Sequence, residues 1–149
     1  FAADDARLPL ARRAAEPRVH FALNCGAASC PPIRVFAAGS VQRWLDVATR
    51  SFLVDTTTVA DGDGDGDASA SASATTVTVT LSKILQWYGG DMAAGADGKR
   101  DDEGVLRWCA SKLGKGDAAE AALGARLRDA AERLGGGGGV VVCADSAAA

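Results

Sequence analysis

The residues able to do chemistry together lie in the stretch RVHFALNCGAASCPPI, residues 18–33, which holds the chain's single histidine, His20, followed by Asn24, Cys25 and Cys30. A thiol of ordinary pKa, about 8.5, needs an adjacent imidazole or a helix N-terminus to ionise appreciably at neutral pH. His20 is the one imidazole available. The same residue types could instead ligate zinc or form a redox pair. A zinc site from His20, Cys25 and Cys30 lacks a fourth ligand, and its spacings differ from the usual C-x₂-C and H-x₃₋₅-H pairs. A Cys25–Cys30 disulfide needs a turn that folds back, and C-x₄-C is not the thioredoxin-type C-x-x-C. No cofactor or metal is expected.

The elements that carry these residues decide which of them can meet. From Arg18 to Cys25 the pattern alternates, with Val19, Phe21, Leu23 and Cys25 on one face and His20, Ala22 and Asn24 on the other, which predicts a strand. On a regular strand His20 and Cys25 point apart. Cys30 lies beyond the turn-prone GAAS and can return to the face of His20 and Asn24. The better arrangement is therefore a Cys30 nucleophile, a His20 base and Asn24 as orienting or oxyanion group. Pro31-Pro32 biases Cys30 toward extended backbone, and PIRV opens a helix poorly, so a helix dipole adds little. The plainer alternative has His20 bonded to a backbone group and both cysteines packed under the turn.

Elsewhere the pattern is that of an α+β domain. Residues 4–15 suggest a short helix broken at Pro9. After Ser40, a suitable N-cap, Val41, Trp44, Leu45, Ala48 and Phe52 recur on one helical face, which predicts a helix over 41–53. LVDTTTVA and TTVTVTL are rich in β-branched residues and predict two strands of a hairpin. Ser82 caps a short helix on which Ile84, Trp87 and Tyr88 share a face, ending at Gly89-Gly90. Two more helices follow, one carrying Leu106, Cys109 and Leu113 and stopping at Gly114. The other opens with an Asp117 and Glu120 capping pair and presents Leu123, Leu127, Ala130 and Leu134. VVVC predicts a last strand. Strands and helices without regular β-α alternation define an α+β fold, helices packed on a small, mostly antiparallel sheet.

At 149 residues the chain is expected to be one domain, 1–149, with an acidic and Ser-Ala loop insertion at 61–74 and a glycine linker at 135–139. Asp61, Asp63, Asp65 and Gly66 imitate the start of a calcium loop. Its twelfth position is Ala72 where a bidentate glutamate belongs, so a solvated loop is the expectation. Cys109 and Cys143 read as core thiols, and Trp44, Trp87 and Trp108 as core aromatics. The net charge is −3 and the arginines are dispersed along the sequence, which argues against nucleic acid as a partner. No apolar run approaches the ~20 residues that span a bilayer, and no signal peptide is visible. A few scattered cysteines suggest reduced thiols in a cytoplasmic setting. The start at Phe1 suggests a piece of something longer.

The motifs EPRVHFALNCGAASCPPIRVF, VTVTLSKILQWYGGDM and GVLRWCASKL resemble the domain of unknown function 547 (DUF547) family of bacteria, plants and algae, over about Glu16 to Leu113. Pro17, His20, Asn24, Cys25, Ser29, Cys30 and Pro31 stand where the family pattern has them. Family members also carry an upstream asparagine-rich helix and a glutamate-histidine segment, and a closing aromatic pattern of which only Asp145 is kept here. The acidic insertion is foreign to the pattern. The resemblance implies a fold and a motif rather than a reaction, and a papain-like or transglutaminase-like site is an analogy of fold. The first expectation is thus a binding or scaffolding module within a larger intracellular protein, meeting a protein partner or the rest of its parent chain. The alternatives are a Cys30/His20 hydrolase or acyltransferase and a Cys25–Cys30 redox pair.

Overall fold

The computed structural model describes residues 2–10, 15–24, 26, 30–62, 76–95 and 99–144. The longest amphipathic repeat forms helix α1, Val41–Thr56, which buries Leu45, Ala48, Thr49, Phe52 and Leu53. Ser40 occupies the cap position but makes no capping bond; its hydroxyl donates to the Ala37 carbonyl instead, at 3.4 Å. Strands β1, Thr58–Asp61, and β2, Val77–Leu81, pair antiparallel from Thr58↔Thr80 to Asp61↔Val77, as the β-branched runs predicted. The helix that continues to Thr56 takes the first residues of LVDTTTVA out of the strand.

After β2 the chain enters three helices, α2 over Lys83–Met92, α3 over Asp102–Lys112 and α4 over Ala118–Gly135. It returns as β3, Val140–Ala144, parallel to β2 with Val77↔Val140 and Leu81↔Ala144 in register. The sheet order is β1-β2-β3. The α+β class stands, with one antiparallel and one parallel pairing in a mixed sheet. A parallel return needs a long crossover, here the three helices.

β2 is central, and alternate residues Val77, Val79 and Leu81 are almost fully buried. They meet Val105, Leu106, Cys109, Ala110 and Leu113 of the α3 region and Leu127, Ala130 and Ala131 of α4 in one core. Gly114 ends α3 with φ +97°, a left-handed turn that favours glycine. Gly124 lets α4 approach α3 closely, since a Cβ there would lie 3.1 Å from the Leu113 Cβ. The α4 start is capped as its sequence suggested, with Glu120 N–H donating to Asp117 Oδ1 at 2.9 Å. Glu120 Oε1 in turn accepts from the N–H groups of Gly114, Lys115 and Gly116 at 3.0 to 3.1 Å, tying down the α3–α4 loop.

Two expectations change. Residues 17–21 are a 3₁₀ helix, not the start of a strand. Pro17 presets φ at its first position, and the Glu16 side chain accepts from Arg18 N–H, so the local chain closes into a tight turn before any strand partner is reached. On α2 the buried face is Leu85 and Gly89, so the helix runs through Gly89-Gly90 to Met92, while Trp87 and Tyr88 are 66% and 47% exposed. Trp87 is therefore not a core residue. Cys109 is fully buried as expected, and burial pushes its thiol up to about 12, partly offset by a backbone hydrogen bond and the Arg100 charge. Among the described residues no helix is long and apolar enough to cross a membrane.

Candidate functional site

His20 sits on the 3₁₀ turn at residues 17–21, anchored by its neighbour Phe21. Phe21 is fully buried against Phe52, ring centroids 5.3 Å apart, and against Trp108 at 5.9 Å. Arg18 fixes the same turn from its polar side. Its guanidinium donates to Glu16 Oε2 at 2.6 Å, to Gln42 Oε1 at 2.6 Å and to Asp46 Oδ1 at 2.7 Å, the last two on α1. The Glu16 hydrogen bond above all, with Asp46 behind it, raises the Arg18 pKa further above its already high ordinary value. One apolar and one ionic contact thus clamp the turn to α1.

This placement sets the imidazole against α2. Tyr88 and Asp91, three residues apart, share a helix face. The His20 ring stacks on Tyr88 with centroids 4.2 Å apart and planes 13° from parallel. Its Nε2–H donates to Asp91 Oδ2 at 2.8 Å. A carboxylate can only accept, so in the neutral imidazole the lone pair falls on Nδ1. Stacking fixes the plane of the ring and the carboxylate fixes its rotation within that plane. The His20 side chain is 15% exposed and Asp91 53%. The orienting group for His20 is thus Asp91, a residue that sequence reasoning did not select; the signal available was the Tyr88/Asp91 spacing on a capped helix.

Asn24 is engaged within its own loop. Its Nδ2 donates to the Pro31 carbonyl at 2.7 Å, and its Oδ1 accepts from Gly26 N–H at 2.8 Å. The first bond closes the loop by returning residue 31, whose side chain is buried, to residue 24. The second is an Asx-type turn that starts the reversal. Cys30, half-buried, lies on the returning limb just before Pro31. Cys25 and residues 27–29 lie outside the described residues, as do residues 63–75 of the acidic insertion. The Cys25–Cys30 pair, the zinc set that includes Cys25 and most of the calcium-like loop therefore fall there. Asp61, the first residue of that loop, accepts from Arg126 Nη2 at 2.8 Å. Among the described residues, no group of at least three His, Cys, Asp and Glu side chains is placed to hold a metal ion.

From Pro31 to Ala37 the backbone forms no helix, strand, turn or bend, and exposure alternates, with Ile33 83% and Val35 90% exposed while Arg34 and Phe36 are partly covered. Period-two burial is that of extended chain. No backbone hydrogen bond joins residues 32–36 to another described residue. Leu23, at the other end of the closed loop, is 66% exposed.

Residues 1–53 match the family described as Protein of unknown function, DUF547. The family resemblance of the histidine-cysteine motif is borne out over that span. The match ends inside α1, so the sheet and α2 to α4 lie beyond it. No curated protein and no solved structure matches the chain.

Proposed function

We propose that this chain is a peptide-binding module that takes an extended segment of a protein partner alongside residues 32–36. The observation that carries the reading is an extended run with open backbone groups and two outward β-branched side chains, Ile33 and Val35. An added strand satisfies such a backbone, and alternate side chains supply selectivity. The closed Asn24–Pro31 loop and buried Phe21 hold the run on the body, which lowers the ordering cost of binding. Peptides selected from a displayed random library test this. Selected peptides are expected to slow amide exchange within residues 33–36 and to lose binding in an Ile33→Asp/Val35→Asp variant. Peptides that leave exchange at 33–36 unchanged, or that bind the double variant equally well, overturn it.

A second reading is a cysteine-dependent hydrolase or acyltransferase, favoured by the oriented imidazole of His20 on Asp91. In this reading Cys30 Sγ passes its proton to His20 and attacks an acyl carbon. The leaving group departs with that proton, and water or an acceptor then releases the acyl group from the thioester. Limiting iodoacetamide across a pH series tests it. The reading predicts Cys30 alkylation faster than that of a free peptide thiol and slowed in His20→Gln. Reaction at the rate of a free thiol sinks it.

A further inference from the structure

The four cations Arg43 and Arg50 of α1 and Lys112 and Lys115 at the end of α3 surround one cleft of about 390 Å³. Arg43, Val47 and Arg50 recur at i, i+4 and i+7, a stripe of α1 other than the one that carries Leu45, Ala48 and Phe52 into the core. Lys112 ends α3, and Lys115 follows on the loop whose backbone Glu120 holds. The sequence distributes these residues over two distant segments, and the α1–α3 packing gathers them.

What marks the group is that four cations gather at one cleft without counter-charge. Arg18, Arg100, Arg107, Arg126 and Arg133 each have a carboxylate partner within ion-pair distance. Among the described residues, none of the four cleft cations has one. The acid in the lining, Asp46, is engaged by Arg18 Nη1 at 2.7 Å. Two of the cations rest on aromatic rings, Lys112 Nζ 5.0 Å from the Trp108 centroid and Arg43 Cζ 5.9 Å from that of Trp44. Such contacts hold a cation in place and leave its charge available. Arg50 Nε is buried and has no hydrogen-bond partner among the described residues. In a chain of net charge −3, an unpaired cluster of this kind opposes the average field.

We infer that this cleft binds the phosphate or pyrophosphate group of a small molecule, either free or as a lipid headgroup. Its volume falls in the range of small-ligand sites, about 300 to 1,000 Å³. Guanidinium groups grip phosphate oxygens in pairs, and lysines add point charges at the rim. The Ser111 hydroxyl donates to the Trp108 carbonyl at 2.6 Å, so recognition falls to the cations. The site is separate from His20 and from the run at 32–36 and does not depend on the function proposed for either.

Calorimetric titration of the 149-residue chain with sodium pyrophosphate, at ionic strength held constant with sodium chloride, tests the assignment. Saturable binding is expected, weakened about tenfold or more by Arg50→Gln and by Lys112→Gln/Lys115→Gln. Arg133→Gln, the same charge change on α4, should bind as the parent does. Circular dichroism of each variant shows that it is folded. A parallel arm sediments the chain with phosphatidylcholine vesicles, with and without phosphatidic acid. Sedimentation that requires phosphatidic acid and is lost in Arg50→Gln assigns the phosphate to a headgroup, and pyrophosphate binding without it assigns a free molecule. No binding in either arm, or binding that Arg133→Gln weakens as much as Arg50→Gln, overturns the inference.

Discussion

The motif segment, residues 16–36, and the helix–sheet body are held by different means. In the body, β2, α3 and α4 contribute side chains at or near full burial to one shared core, and each core residue is supported by several others. The described part of the motif segment buries Phe21 and Pro31, and it relies otherwise on a few polar clamps from Arg18, His20 and Asn24. The difference separates rigidity from chemistry. His20, Cys30 and the run at 32–36 lie on chain fastened at points, where local opening costs less than global unfolding.

The largest expected effect comes from removing the apolar fastening. Phe21→Ala leaves a hole between Phe52 and Trp108 and should destabilise by about 3 to 5 kcal/mol in urea unfolding. An unchanged midpoint would show that the segment is not docked through Phe21. Next comes the body's own thiol. The Cys109 pKa is raised from 9.0 in the free group to about 12 in the fold, so unfolding releases its proton more readily than the native state does. Its stabilising contribution is complete below about pH 9 and is lost as pH rises toward 12. Cys109→Ala should flatten that part of the stability–pH curve, and parallel curves for parent and variant would remove Cys109 as its cause.

Smaller effects belong to the polar clamps. Asn24→Ala deletes the bonds to Pro31 and Gly26 and should cost about 1 kcal/mol, since the site is partly exposed. The sharper readout is amide exchange at Gly26, whose N–H loses its Asn24 acceptor and should exchange faster while α3 and α4 stay protected. Asp91→Asn should change stability by less than about 1 kcal/mol, because an exposed pair contributes little. It should still shift the His20 ring proton resonances, which the Tyr88 face holds upfield, toward those of a free imidazole. Unmoved resonances would show that stacking alone orients the ring.

The body was legible because its signals are long and periodic. Val41 to Phe52 and Leu106 to Leu113 repeat at helical spacing, and β-branched runs marked β1, β2 and β3. The motif segment misled because Val19, Phe21 and Leu23 alternate like a strand while Glu16 and Pro17 start a turn; local capping prevailed over a pattern too short to recruit a partner. On α2 a glycine took the core position expected of an aromatic, since Gly89 packs where Arg100 and Val105 come close. His20 and Asp91 are 71 positions apart, and no spacing rule connects them. Arg43 and Arg50 meet Lys112 and Lys115 only through α1–α3 packing, so dispersed charge in the sequence became concentrated charge in the fold.

The parallel pairing of β2 with β3 has a consequence for the order of assembly. Val140 is made only after α2, α3 and α4, whereas both strands of the β1–β2 hairpin are complete far earlier. During synthesis on the ribosome, one edge of β2 therefore waits with open amide and carbonyl groups while the helices emerge. A chaperone that shields that edge, or slowed translation through α4, would act on the yield of folded protein without touching its final stability.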